Sequence, residues 1–361
     1  MADKLYDIIT AWVKKAEKDS PHRQHSPGWK LAKVNTIGGS SISSIMKCNP
    51  YCDIFSLIYT KIGLTPFNGD IKTFWGNLFE DVIGAYVEID KSCKVYGDDL
   101  FIRGPPGTNY SPDGITVLEV NGEHKIALLE YKCPYSRIPG NSPPKYYVPQ
   151  VKMGLEIINI CEIGLFVEAV FRRCSWDDLG NNLNYDKLLV DKTIGDKILA
   201  VGIIGFYSES IINELSRSYN DEYELGGSDN DYMSNDLGVS SPDLFKKIMQ
   251  CFDEKKIKTF NGKVLIIDEK QDDNDLNEKI NNELAKYTNL CREKKYYNYG
   301  ILPWKLFHVK YKIIEKEENF LAPLLPKIET VLQVVKECND PKNELIKYNI
   351  INKYIDKLQN L

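Results

Sequence analysis

At 361 residues the chain is long enough for one large domain or two ordinary ones, and 43% hydrophobic with 27% charged residues is ordinary globular usage. Collagen-like repeats, a coiled coil and wholesale disorder are excluded. The formal charge of −5 argues mildly against a nucleic-acid partner on the scale of the whole chain.

In chain order, Leu5, Ile8, Ile9, Trp12 and Val13 recur at helical spacing and predict an amphipathic helix over 3–17, closed by the polar loop KDSPHRQHSPG. From Asp70, the positions Ile71, Phe74, Trp75, Leu78, Phe79, Val82, Ile83 and Tyr86 predict a second helix of several turns. ITVLEV and HKIALLEYK are β-rich runs joined by VNGE, and Asn-Gly between such runs predicts a two-residue hairpin turn. Residues 145–160 read as a helix with Pro149 in its first turn, followed by the strand GLFVEAVFRR. Between about 177 and 300 the chain is more polar, with strand-like KILAVGIIGFY and KVLIID and an acidic piece, NDEYELGGSDNDYMSND, that reads as a mobile loop. LFHVKYKII reads as a strand, and the last 40 residues as two terminal helices. The nine cysteines are odd in number and scattered, and the first segment reads as amphipathic rather than as a basic flank with an apolar core. An intracellular protein, cytoplasmic or nuclear and not secreted, is therefore expected. No apolar run approaches the roughly 18–20 residues that span a bilayer, so no membrane partner is expected.

The hairpin places chemistry. A two-residue Asn121-Gly122 turn opposes Val120 to Glu123, and the same register carried down the ladder opposes Asp113 to Glu130. Opposed residues share a face with Cβ atoms about 4.5–5.5 Å apart. Two carboxylates that close repel unless a cation lies between them, and a divalent metal is the natural occupant. Lys132 shares the face of Glu130 by the period of two. Leu128 and Leu129 make the strand apolar on both faces, so these charges belong to a largely buried sheet, where an unpaired charge is costly. The alternative is a solvated face of cross-strand ion pairs, the usual place for charged strand residues.

SPDG (Ser111 to Gly114) and LEYKCP (Leu129 to Pro134), with WGNLFE ending in Glu80 upstream and YVPQ ending in Gln150 downstream, resemble a known family. It is the lambda exonuclease family, the YqaJ-type viral recombinase nucleases, within the PD-(D/E)XK superfamily. Alkaline exonucleases of large DNA viruses are among its relatives. Trp29, Lys33 and Ser40 fall where the family has Trp-xxx-Arg and a later Ser, its grip on a terminal 5′-phosphate. FHVKYKIIEKEENFLAPLLPKIETVLQVVKE resembles the closing strand and helix. The resemblance implies an α/β fold with a mixed sheet, a restriction-endonuclease-like core with flanking helices and an inserted lobe. Residues 1–361 would form a single nuclease domain. Its core would be 22–173 and 300–339, with 177–300 an insertion or accessory lobe carrying the acidic mobile loop, and 340–361 a C-terminal helix.

Carried over by position, the resemblance makes Asp113, Glu130 and the Tyr131 backbone carbonyl metal ligands, and Glu80 a ligand of a second or water-bridged ion. One or two Mg²⁺ or Mn²⁺ ions suit such oxygen donors. Lys132 would orient or deprotonate the attacking water, and Gln150 would position the nucleophile or the phosphate, with Tyr147 one turn earlier on the same face. Ser111, Lys33, Gly38, Ser40 and Tyr147 would contact the phosphate or the DNA. In TIGGSSIS, Gly38 and Gly39 expose N–H groups ahead of a short helix, as an anion nest or as a plain capped turn. Lysine at 33 in place of the family's arginine gives a point charge rather than a bidentate fork, with Arg23 a candidate substitute. Lys152 stands where relatives often carry a second glutamine. Arg172 and Arg173, at a strand end, read either as DNA backbone contacts or as a solvated terminus. The function implied is a metal-dependent exonuclease acting on double-stranded DNA ends, 5′ to 3′, leaving 3′ single strands for recombination or viral DNA processing. A single-strand annealing protein and a homotrimer are the implied partners. The alternatives are an endonuclease or RNA-cleaving nuclease of the superfamily, and a non-catalytic DNA-end-binding recombination module.

Overall fold

The amphipathic N-terminal segment forms α1 (Ala2–Asp19), with Ile9 buried against the domain. Helix α2 (Pro27–Val34) starts where the Trp29 amide donates to Ser26 Oγ at 3.2 Å, with Pro27 in its first turn. Strand β1 (Ile37–Gly38), α3 (Gly39–Ile45) and α4 (Ile54–Lys61) follow. Helix α5 (Ile71–Asp90) realises the predicted long helix; Asp70 caps it by accepting from the Thr73 amide at 2.9 Å, and all the apolar positions from Phe74 to Tyr86 in the predicted series are buried. Coordinates are those of a computed structural model that describes residues 2–20, 22, 26–65, 70–174, 179, 197–212, 215, 242–253, 256–267 and 273–360. The acidic piece at 220–236, expected as a mobile loop, and Arg23 lie outside the described residues.

Strands β2 (Ile102–Arg103) and β3 (Thr108–Tyr110) join β1 in a small sheet of order β1-β3-β2. The predicted hairpin is β4 (Gly114–Val120) and β5 (Glu123–Lys132), in the expected register from Val120 opposite Glu123 to Gly114 opposite Leu129. Asn121 and Gly122 both have positive φ, 53° and 82°, which a two-residue turn matched to the twist of the strands requires. Helix α6 (Val148–Ile157), with Pro149 in its first turn, then crosses over so that β6 (Ile163–Arg173) runs parallel to β5.

The chain continues with β7 (Ala200–Ser208), α7 (Pro242–Asp253), β8 (Lys258–Asn261), β9 (Leu265–Ile266), α8 (Asp273–Lys294), β10 (Tyr297–Glu315) and α9 (Leu325–Cys338). The main sheet is mixed, with order β4-β5-β6-β10-β7-β8 and β9 also on β7. Strand β10 is far longer than the predicted 306–314, because its first half pairs with β7 and its second half with β6. Among the described residues of the predicted strand KVLIID, Leu265 and Ile266 form the strand that pairs with β7. The segment 340–361 is not the single helix expected. A 3₁₀ turn (Pro341–Ile346) leads into α10 (Lys347–Lys353) and α11 (Ile355–Gln359). The break falls at Tyr354, whose hydroxyl donates to Glu337 on α9 at 2.5 Å while its amide makes a tight bond back to Ile351.

Helices cover both sheet faces. Phe74, Trp75 and Phe79 of α5 pack on Leu129, Tyr131, Val167 and Phe171. On the other face α3, α4, α6 and α9 enclose Leu128, Phe166 and Ile314. This is why β5 is apolar on both sides. All nine cysteines are free thiols. Among the described residues no helix is long and apolar enough to cross a membrane.

Candidate active site

Glu130, on β5 two residues past Leu128, has no solvent exposure, and both its oxygens are engaged. Oε2 accepts from the Tyr110 hydroxyl at 2.7 Å. Oε1 accepts from Gln150 Nε2 at 2.5 Å and is in ion-pair contact with the Lys132 ammonium. At the end of the β4–β5 ladder the Tyr131 amide donates to Asp113 Oδ2 at 2.6 Å, so the Asp113 side chain takes the place of a strand partner. Helix α5, packed on the Leu129 and Tyr131 face, brings Glu80 within electrostatic reach of Asp113, Glu130 and Lys132.

Charge is out of balance in this cluster. Burial, then the charges of Glu130 and Glu80, hold the Asp113 carboxyl well above the usual carboxylate range. Burial also pushes Glu80 up to about 7, with Lys132 opposing and Glu130 adding. For Lys132 burial acts downward, but the Glu130 and Asp113 charges outweigh it and hold the lysine above its ordinary value. Three carboxylates thus face one ammonium. The donor set, all oxygen and net negative, fits a hard divalent cation. Among the described residues no three His, Cys, Asp or Glu side chains already converge on one point, since the Glu130 oxygens are turned to Tyr110, Gln150 and Lys132. A cleft of about 450 Å³ opens on the α5 side, where Glu80, Asp81, Glu88, Asp98, Asp99 and Asp113 contribute to its lining.

The expected phosphate grip lies against this cluster. A Cβ at Gly39 would sit 2.6 Å from the Tyr110 ring and 3.2 Å from Gln150 Cγ, so only glycine lets α3 start there. Gly38 is the extended N-cap residue of α3 and makes no side-chain cap, and Ser40 is exposed beside it. Lys33 Nζ lies over the Trp29 indole, 4.1 Å from the ring centroid, and Trp29 Nε1 donates to Ser111 Oγ at 3.5 Å, two residues from Asp113. Lys61 Nζ donates to the Lys33 and Thr36 carbonyls, both at 2.7 Å, and closes the end of α2. Burial and then the charge of Lys33 bring Lys61 down to about 8; burial also lowers Lys33. Lys132 Nζ lies 5.1 Å from the Tyr147 ring centroid.

Residues 28–159 match the YqaJ-like viral recombinase domain. That span contains Lys33, Ser40, Glu80, Asp113, Glu130, Lys132 and Gln150, so the family expected from SPDG and LEYKCP is the one that fits. A protein of African swine fever virus, from a tick isolate of Pretoriuskop in South Africa, is 33% identical over 189 residues, covering 46% of this chain and 54% of that protein. Its counterpart in the Vero-adapted Badajoz strain is 32% identical over the same length. The chain spans about half the length of the curated relatives it matches. Two crystal structures of the alkaline exonuclease LHK-Exo of Laribacter hongkongensis, one in complex with dAMP, align with 40% of this chain at a TM-score of 0.31. They cover 73% and 74% of those chains, at 20% and 19% identity.

Within the YqaJ-like domain the structure gathers Glu80, Asp113, Glu130, Tyr131, Lys132, Tyr147 and Gln150 into one cluster, with Ser111, Lys33 and the start of α3 at its border. Lys152 is turned elsewhere, onto Glu317 at 2.5 Å. Arg172 is no surface contact for DNA: it is 1% exposed and donates to the Phe171 carbonyl at 2.7 Å. Two participants went unnoticed in the sequence. Glu168, the parallel neighbour of Lys132, is buried and ion-paired with Arg137. Tyr110 is fully enclosed, and burial together with the Glu130 charge raises its phenol well above the ordinary value, so it remains a donor. Its only sequence signal is its place just before SPDG. Tyr110→Phe is expected to lower stability by about 2 kcal/mol, the range for a hydrogen bond to a charged group, as read by urea denaturation. An unchanged midpoint would show that the bond contributes nothing.

Proposed function

We propose that the chain is a metal-dependent deoxyribonuclease that degrades double-stranded DNA from its ends, 5′ to 3′, leaving 3′ single strands for recombination or viral DNA processing. The observation that carries this reading is the buried union of Glu130 with Lys132 and Gln150 beside Asp113 and Glu80, inside the YqaJ-like domain. Asp113, Glu130 and the Tyr131 carbonyl would hold one Mg²⁺ or Mn²⁺ ion and Glu80 a second. When bound, such ions lower the pKa of a coordinated water and offset charge on the phosphate. Lys132 would orient the attacking water and add positive charge where the phosphate gains negative charge. Gln150 holds the nucleophile or a phosphate oxygen in line from the first turn of α6. Lys33 and Ser111 bind the terminal phosphate. In this reading 22–173 and 300–339 are the catalytic core, 177–300 is accessory, and a single-strand annealing protein, or two further copies of the chain in a ring, complete the machinery inside the infected cell.

The test compares a linearised plasmid with its closed circle, and end-labelled duplexes bearing 5′-phosphate or 5′-hydroxyl, each with Mg²⁺ and with EDTA. Digestion of linear DNA only, abolished by EDTA, with the 5′ label released first and a preference for 5′-phosphate that Lys33→Ala removes, is the expected result. Equal digestion of the circle would sink the exonuclease reading, and binding without any metal-dependent hydrolysis would leave an end-binding module.

A further inference from the structure

Three tyrosine rings lead from solvent to the catalytic cluster. Tyr51, in the loop between α3 and α4, is 81% exposed and belongs to neither core. Its ring meets that of Tyr146 edge-on, with centroids 5.6 Å apart at 88°. Tyr146 lies 4.4 Å from Tyr147, and Tyr147 in turn lies 5.6 Å from buried Phe166 and beneath the Lys132 ammonium. The series therefore runs from open solvent to the cation that contacts Glu130. Its backbone is fixed at both ends. The Tyr51 amide donates to Asn49 Oδ1 at 2.9 Å, and the Tyr147 carbonyl accepts from the Gln150 amide at 3.1 Å.

The two flanks of the site differ in charge. On the α5 side Asp81, Glu88, Asp98 and Asp99 accompany Glu80 around the cleft, a surface that repels a phosphate backbone. On the α3 and α6 side the residues are aromatic, and the Lys132 ammonium, paired with Glu130, lies over the Tyr147 ring. In the end-degrading reading, a strand that enters the site unpaired brings bases that have lost their stacking neighbours. Aromatic side chains replace those neighbours without regard to sequence, because every base has a π-face. An edge-on contact at 81% exposure leaves a face of the Tyr51 ring open to such a base. We infer that Tyr51, Tyr146 and Tyr147 form a stacking ramp for the unpaired bases of the strand entering the site, an inference that rests on the nuclease reading above.

The test uses the full chain with Ca²⁺ in place of Mg²⁺ and a duplex whose first two 5′ nucleotides are unpaired 2-aminopurines, against the same duplex with abasic sites there. Binding is read by fluorescence anisotropy and stacking by quenching of 2-aminopurine emission. The wild-type chain is expected to bind the base-bearing end roughly tenfold more tightly than the abasic one. Tyr51→Ala and Tyr146→Ala bring that ratio towards one and relieve the quenching; Tyr51→Phe, which keeps the ring, retains both. Because Tyr51 packs in no core, its alanine variant keeps the fold. A wild-type ratio of one, or an unchanged ratio in Tyr51→Ala, would overturn the ramp. Mg²⁺-dependent product release is measured in a separate reaction, so its absence with the ratio intact strikes the nuclease reading alone.

Discussion

Asp113→Ala is expected to lower metal-dependent DNA hydrolysis by on the order of 10³-fold or more while leaving DNA binding measurable. The side chain sits at the end of the β4–β5 ladder, where its Oδ2 accepts from the Tyr131 amide and its charge faces Glu130 and Glu80. Truncation leaves that amide without its carboxylate, a loss of about 1–3 kcal/mol. It also removes one of three mutually repelling carboxylates, which offsets part of the loss. The fold is therefore expected to survive while the proposed cation-holding set loses a member. Asp113→Asn retains an acceptor for Tyr131 without the charge, so it should match alanine in activity and exceed it in stability. Initial rates over a Mg²⁺ titration, with anisotropy for binding, check both variants; full activity in either refutes the assignment of Asp113 as a ligand.

Glu130 and Lys132 should respond unequally although they form one pair. Glu130→Ala strands the Lys132 ammonium, the Tyr110 hydroxyl and the Gln150 amide together in a buried place. Breaking a buried pair from one side destabilises by about 3–5 kcal/mol, and activity should vanish with it. Lys132→Met leaves Glu130 with two remaining donors, Tyr110 and Gln150, and with the volume of the lysine stem filled. Its stability loss should be the smaller of the two, while hydrolysis falls as steeply. Denaturation midpoints measured beside turnover separate the cases. Equal loss of stability in the two variants would mean that Tyr110 and Gln150 do not support the carboxylate.

Charge on the scale of the chain and charge at the proposed site point in different directions. The balance of −5 argues against nucleic acid, yet six acidic residues line a single cleft at the Asp113–Glu130 cluster. Carboxylates gathered to hold cations count against DNA in a sum and for it in a site.

Local pattern carried much of the rest. The series from Ile71 to Tyr86 specifies a helix because one face must be buried, and Asn121-Gly122 specifies the hairpin because both positions need positive φ. Once the turn is fixed, the period of two leaves no freedom in register, so Asp113, Glu130 and Lys132 meet by arithmetic. What the sequence by itself determined was therefore the hairpin, its charged end and the family to which those residues point. Only the tertiary structure decided that Tyr110 and Gln150 close on Glu130, that Gly39 lets α3 reach them, that Arg172 is buried, and that Tyr354 breaks the terminal helix. Each of those depends on a partner far away in the chain or on another element, and no period or turn rule acts across such distances.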